Sequence, residues 1–179
     1  MPTCLVILAE AFEELEAVAP VDLLRRAGVS VTLASLAQVP LVTGRCHLTL
    51  RPDTHLDAIM SQEFDLLLLP GGPGVRHLRS DSRVLELVRR QNERQALIAA
   101  ICAAPTVLAD LGLLAGRRYT AHPSVAKELP HTLPDEQVVR DGNLITSRGA
   151  GTAIAFGLAL VGVLCGEQVA RKIAAEVAA

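Results

Sequence analysis

The chain has 179 residues, half of them apolar, with 19 acidic against 17 basic side chains for a formal charge of −2. That mixture supports one folded domain, 1–179, and excludes a globally disordered chain. With three Phe, one Tyr, no Trp and no basic excess there is neither a stacking platform nor a phosphate-binding footprint, so no nucleic-acid site is expected.

Thr3 to Ala9 is a near-continuous apolar run and reads as a buried strand. Its Met-Pro-Thr-Cys start lacks the cationic opening of a secretion signal and Glu10 interrupts the run, so a cytoplasmic, reducing compartment is expected. Glu13 to Ala27 follows as a helix, with Leu15, Val18, Val21, Leu23 and Leu24 leaving the charges to one side, and Val29 to Ser35 as a second strand completes a βαβ unit. Asp65 to Leu69 and Ala96 to Ile101 are further strands, running into Pro70-Gly71-Gly72 and Cys102, with Ser82 to Glu93 as the helix between them. Ala103 to Leu113 reads as a helix closed by Gly112 or Gly116, and Tyr119 to Ala121 as a short strand. Gln137 to Arg140 and Asn143 to Ser147 pair around Asp141-Gly142, and Thr152 opens a helical C-terminus. Residues 149–166 are uncharged, but Gly149, Gly151 and Thr152 mark a turn and a helix start, leaving Ala153 to Cys165, too short for a membrane span.

Apolar strands alternating with helices predict an α/β fold, a doubly wound, mostly parallel sheet with helices on both faces. Reactive groups in such sheets collect beyond the carboxyl ends of the strands, so three loops face one rim: Glu10 to Glu16, Pro70 to Gly74, and Cys102.

Cys102 stands where a strand meets a helix, in the manner of a nucleophile elbow, with small Ala100 and Ala104 two residues to either side. A helix start favours a thiolate, so a lowered thiol pKa is expected; the alternative is an inert cysteine in a strand-helix corner. Gly71 to Gly74 forms a glycine-rich turn whose N–H groups can approach an oxygen closely, or a plain tight turn. No dinucleotide or phosphate-loop pattern follows it, and no cofactor is expected. Glu13, Glu14 and Glu16 sit at a helix start, where carboxylates are favourable for dipole reasons alone. Glu16, flanked by Leu15, Ala17 and Val18, can turn inward, where a desolvated carboxyl keeps its proton. His122 is a candidate proton shuttle or a structural histidine. Cys4, Cys46, Cys102 and Cys165 lie far apart, and they and the other histidines show no disulfide framework and no metal-ligand spacing.

Several of these segments fall in one family's order: Leu5-Val6-Ile7-Leu8-Ala9, Glu13-Glu14-Leu15-Glu16, Leu69-Pro70-Gly71-Gly72, Ala99-Ala100-Ile101-Cys102-Ala103-Ala104-Pro105, His122-Pro123 and Thr146-Ser147-Arg148-Gly149. The chain resembles the ThiJ/PfpI superfamily, in the branch of Parkinson-disease protein seven and bacterial YajL. The resemblance implies a flavodoxin-like homodimer with Cys102 as reactive thiolate and Glu16 as its protonated carboxyl partner. It also implies Gly72 and Ala103 as backbone donors to an oxyanion, His122 as the nearby imidazole, and Arg26 near the dimer contact. Gly44-Arg45-Cys46 stands where the branch usually has Cys-Ser-Arg, so no role carries over to Arg45 or Cys46. Ala103 follows Cys102 where protease-like members have His, which removes support for peptide cleavage.

The activity so implied is cofactor-independent, cysteine-dependent detoxification of reactive carbonyls, of glyoxalase III or deglycase type, acting on small dicarbonyls or glycated adducts. The alternative is a non-enzymatic redox sensor or chaperone working through oxidation of Cys102 to the sulfinate.

Overall fold

Leu-, Val- and Ile-rich runs too apolar to face water on either side build the centre of the molecule. The computed structural model describes residues 1–179. In chain order the elements are β1 (Thr3–Leu8), α1 (Glu14–Arg26), β2 (Ser30–Ser35), three two-residue strands β3 (Val42–Thr43), β4 (Thr49–Leu50) and β5 (Thr54–His55), and β6 (Leu66–Leu69). Then come α2 (Val75–Ser80), α3 (Ser82–Glu93), β7 (Leu97–Ile101), α4 (Pro105–Asp110), β8 (Val138–Asp141), β9 (Leu144–Ser147), α5 (Ala153–Cys165) and α6 (Glu167–Glu176). The main sheet runs β5-β2-β1-β6-β7-β9-β8, and β3 and β4 form a separate small hairpin. Every pairing in the main sheet is parallel except β8 with β9, the hairpin around Gly142, whose φ of 58° meets the turn's demand.

Alternation along the strands splits the core in two. Leu5, Ile7, Leu67, Leu69, Ile98 and Ala100 face α2, α3 and α4, whereas Val6, Leu8, Leu66, Leu68, Ala99 and Ile101 face α1, α5 and α6. This is the expected flavodoxin-like α/β arrangement. Strand order reverses at β1, which pairs with β2 on one side and β6 on the other. The carboxyl ends of β1, β6 and β7 therefore open onto one crevice. No helix is long and apolar enough to cross a membrane.

Two local readings are corrected. The helix expected over Ala103 to Leu113 shrinks to α4, because Cys102 to Ala104 form a turn and Gly112 at φ 70° ends the run. No strand precedes His122; the Thr120 N–H donates to Thr146 Oγ1 (2.9 Å) instead of to a ladder partner. The glycine turn after β6 leads into α2, which the sequence pattern did not reveal. The apolar helix expected over Ala153 to Cys165 is α5, and Gly166, at φ 96°, separates it from α6.

The site's carboxyl helix, α1, is clamped to α5 at Gly157, where a Cβ would lie 2.6 Å from Leu23 Cδ1 and 3.0 Å from Pro20 Cα. Leu23 can turn aside but the Pro20 backbone cannot. Gly157→Val is therefore expected to destabilise the fold by about 1–3 kcal/mol, read as a lowered urea midpoint with an unchanged m-value.

Candidate active site

Cys102 follows β7 directly with φ 66°, a left-handed conformation that costs a non-glycine residue energy and persists only where its surroundings enforce it. Its N–H donates to the Ser147 carbonyl (2.9 Å) at the end of β9, and its own carbonyl accepts the His122 N–H (2.9 Å). With both bonds made, the turn leaves no backbone group of Cys102 unsatisfied. The preceding loop must come very close. A Cβ on Gly71 would lie 2.6 Å from Cys102 Cβ, and one on Gly72, at φ 89°, 2.6 Å from the Glu13 N. Only glycines let the Pro70–Gly74 turn bring its N–H groups against the sulfur.

Glu13 caps α1, its carboxylate accepting the Glu16 N–H (3.0 Å), and the first turn rolls Glu16 inward. Glu16 is 1% exposed. Its Oε2 accepts the Gly71 N–H (2.9 Å), while Oε1 receives no N–H or O–H donor; the Cys102 thiol is the side chain placed to share a proton with this carboxyl. Burial, helped by the Glu13 charge, pushes the Glu16 carboxyl up from 4.5 to about 7, against the opposing pull of Cys102, the Gly71 N–H and Arg45. With Glu16 ionised, burial and then that neighbouring charge push the Cys102 thiol up to about 12, against the N–H groups of Gly72 and Ala103. The helix dipole expected from the sequence therefore does not by itself lower the thiol, and a thiolate here depends on Glu16 keeping the shared proton. The helix α4 is six residues long and starts only at Pro105, and burial outweighs it.

The pair holds two protons below about 7 and one between about 7 and about 12. Geometry favours leaving that one on Glu16. The sulfur has two backbone donors and is only partly buried, whereas Glu16 has one donor, is enclosed and faces the Glu13 charge. Those donors favour a thiolate beside a neutral acid, against the burial and the Glu16 charge that raise the thiol once the carboxyl ionises.

His122 lines the same cavity. Its Nδ1 accepts the Ser124 N–H (3.1 Å) and lies 2.9 Å from Ser124 Oγ, so the neutral ring carries its proton on Nε2 and acts as a donor. The cavity measures about 410 Å³ and brings together Cys102, Glu16, His122, Gly72 and Ala103, all singled out in the sequence. Arg26 is not among them. It lies exposed on α1, paired with Asp22 at 2.7 Å. Arg45, Glu13 and Ser124 also line the cavity. The sequence left the role of Arg45 open because no local pattern marks it. The β3–β4 hairpin folds back on α1, and the Arg45 N–H donates to the Phe12 carbonyl (2.9 Å).

Comparison with known proteins gives concordant results. The family model described as "DJ-1/PfpI family" matches residues 2–162. The Drosophila melanogaster Protein dj-1beta is 42% identical over 176 residues, covering 96% of this chain and 94% of the relative. The Caenorhabditis elegans glutathione-independent glyoxalase DJR-1.2 is 35% identical over 164 residues, covering 89% and 86%. Among solved structures, oxidized Toxoplasma gondii DJ-1 superposes with a TM-score of 0.94 at 32% identity, covering 99% of this chain and 98% of that one.

The raised carboxyl fixes a sign for stability. Unfolded, Glu16 ionises near 4.5; folded, the pair keeps its first proton until about 7, so the folded state binds more protons in between and stability falls as pH rises through that window. Glu16→Gln, which keeps an acceptor for the Gly71 N–H, removes the loss. The variant is expected to gain stability over the parent between pH 5 and pH 8, by at most about 3 kcal/mol, in denaturant melts at the two pH values.

Proposed function

The chain belongs to the DJ-1/PfpI family, and on that premise we propose that it is a cofactor-independent enzyme converting methylglyoxal or glyoxal to the hydroxy acid, with Cys102 as nucleophile. The observation that carries the reading is the buried Glu16 carboxyl beside a sulfur that also faces two backbone N–H groups. A relative named as a glutathione-independent glyoxalase supports it.

The thiolate adds to the aldehyde carbon, forming a C–S bond, and the electron pair moves to oxygen, where the Gly72 and Ala103 N–H groups meet the charge. Glu16 gives its proton to that oxygen, leaving a hemithioacetal and a carboxylate. The carboxylate removes the C1 proton as the His122 Nε2–H protonates the ketone oxygen, giving an enediol. Glu16 then returns its proton to C2 while the C1 hydroxyl gives its proton back to His122, leaving a C1 carbonyl and a C2 hydroxyl. The product is a thioester of the hydroxy acid, which water cleaves to lactate and free thiol. The aldehyde carbon is oxidised as the ketone carbon is reduced, so the sum is methylglyoxal plus water and no external electron acceptor enters. Glycated adducts present the same carbonyl chemistry on a larger carrier. A cleft of about 470 Å³ that shares His122 and Ala150 with the cavity offers room for one.

A homodimer fits this reading. Leu15, Val18 and Arg26 share the outward face of α1, with Leu15 59% and Val18 45% exposed. A reducing compartment such as the cytoplasm keeps Cys102 available, and all four cysteines are free. The second reading, a sensor acting through the Cys102 sulfinate, draws on the same proton donor, since a neutral Glu16 can bond an added oxygen, and on the oxidized form of the Toxoplasma relative.

Purified protein should form lactate from methylglyoxal without glutathione, and Cys102→Ser should lose at least about a thousandfold in kcat/KM. Proton NMR of the product checks this. Turnover by Cys102→Ser at the parental rate would overturn the proposal. An inactive parent that gains two oxygens on Cys102 under mild peroxide would favour the sensor.

A further inference from the structure

Beside the catalytic cavity, three donor side chains meet that no short-range spacing connects. One ligand atom each from Glu13, Glu14 and Cys46 lies within 4.8 Å of the others. The β3–β4 hairpin creates this meeting by folding Cys46 back onto the start of α1. Glu14 anchors it, its Oε1 accepting the Cys46 N–H (2.7 Å) and the Leu48 N–H (3.3 Å).

Glu14 is 5% exposed, and its second oxygen, Oε2, is buried with no hydrogen-bond partner. An enclosed carboxylate oxygen without a donor is costly. Neither Glu13 nor Glu14 takes part in any of the chain's ion pairs. Two buried carboxylates side by side therefore lack a neutralising cation, although one of them is held rigidly by two backbone donors. Glu13 spends Oε2 on the Glu16 N–H and keeps Oε1 for another partner.

We propose that Glu13, Glu14 and Cys46 form a binding site for a divalent cation of the zinc type. The donor set selects among ions. Calcium and magnesium want oxygen ligands throughout, whereas a thiolate with two carboxylates suits zinc, whose fourth tetrahedral position water completes. Bond lengths of about 2.0 Å to oxygen and about 2.3 Å to sulfur need only a small closing of the cluster. Cys46 is exposed, which gives the ion a way in and leaves its side chain free to close. The charge balances well: two carboxylates and one thiolate meet one dication, with Arg45 next in the chain. The bound ion ties the hairpin to α1 and so holds the segment from which Arg45 reaches the catalytic cavity.

The test uses the full-length reduced protein titrated with zinc by calorimetry and with cobalt(II) by absorption, where a thiolate ligand produces a sulfur-to-metal charge-transfer band. One ion per chain and a charge-transfer band are expected, both retained in Cys102→Ser and the band lost in Cys46→Ser. Glu14→Gln, which still accepts the hairpin N–H groups, should weaken zinc binding by about tenfold or more, at least the cost of losing an outer-shell partner. Cys46 is exposed, so its variant tests the site without disturbing the core. Absence of stoichiometric binding, a band that survives Cys46→Ser, or one that vanishes in Cys102→Ser would each overturn the assignment.

Discussion

One proton held between Glu16 and Cys102 governs the chemistry open to this protein. Both groups sit where burial makes ionisation expensive; the Glu16 charge raises that cost for Cys102, whereas the Cys102 thiol, bonding to the carboxylate, lowers it for Glu16. Below about pH 7 the pair is neutral; above it a single negative charge is shared, and the proposed attack by sulfur depends on how much of that charge the sulfur carries. In the proposed reaction, a carboxyl that keeps the shared proton supplies what a thiolate alone lacks, a proton for the oxygen that becomes charged when the carbonyl is attacked.

The fold exists around that pair in a direct sense. Reversal of strand order at β1 opens the crevice, β6 delivers the glycine turn, β7 delivers the cysteine, and α1 starts with the carboxyl. Strain at Cys102 is held by bonds from two other segments, through the Ser147 carbonyl and the His122 N–H, so loosening either would relax the turn. Close approach of Gly71 to both the sulfur and Glu16 means that any larger residue there would separate the partners. Stability is given up in the same place, because a buried acid that must be ready to ionise weakens the folded state as pH rises.

Much of this was legible in the chain. The helix Ser82–Glu93 has Asp81 as its cap and a clear apolar stripe, and strand patterns of four to six apolar residues mark the parallel sheet. Cys102 stood out because a strand ran straight into it and small residues surrounded it, and Glu16 because apolar neighbours suggested an inward turn. Other features depend on distant segments meeting. Arg45 and the Glu13–Glu14–Cys46 cluster need a hairpin of two-residue strands that carry almost no pattern. The orientation of His122 depends on Ser124, and the direction in which the thiol titrates depends on burial, which outweighs the local dipole that the sequence suggests. Local pattern thus marked Cys102 and Glu16, whereas how they share a proton depends on tertiary packing.

The most direct measurement follows both halves of the pair through one pH titration of the reduced protein: thiolate absorbance in the ultraviolet, assigned by its loss in Cys102→Ser, and the carboxylic-acid stretch of Glu16 in the infrared, assigned by its loss in Glu16→Gln. The account predicts that Cys102 thiolate appears through about pH 7 while the Glu16 acid band persists. A Glu16 band that disappears there, with thiolate arising only near pH 12, would place the proton on sulfur and contradict it.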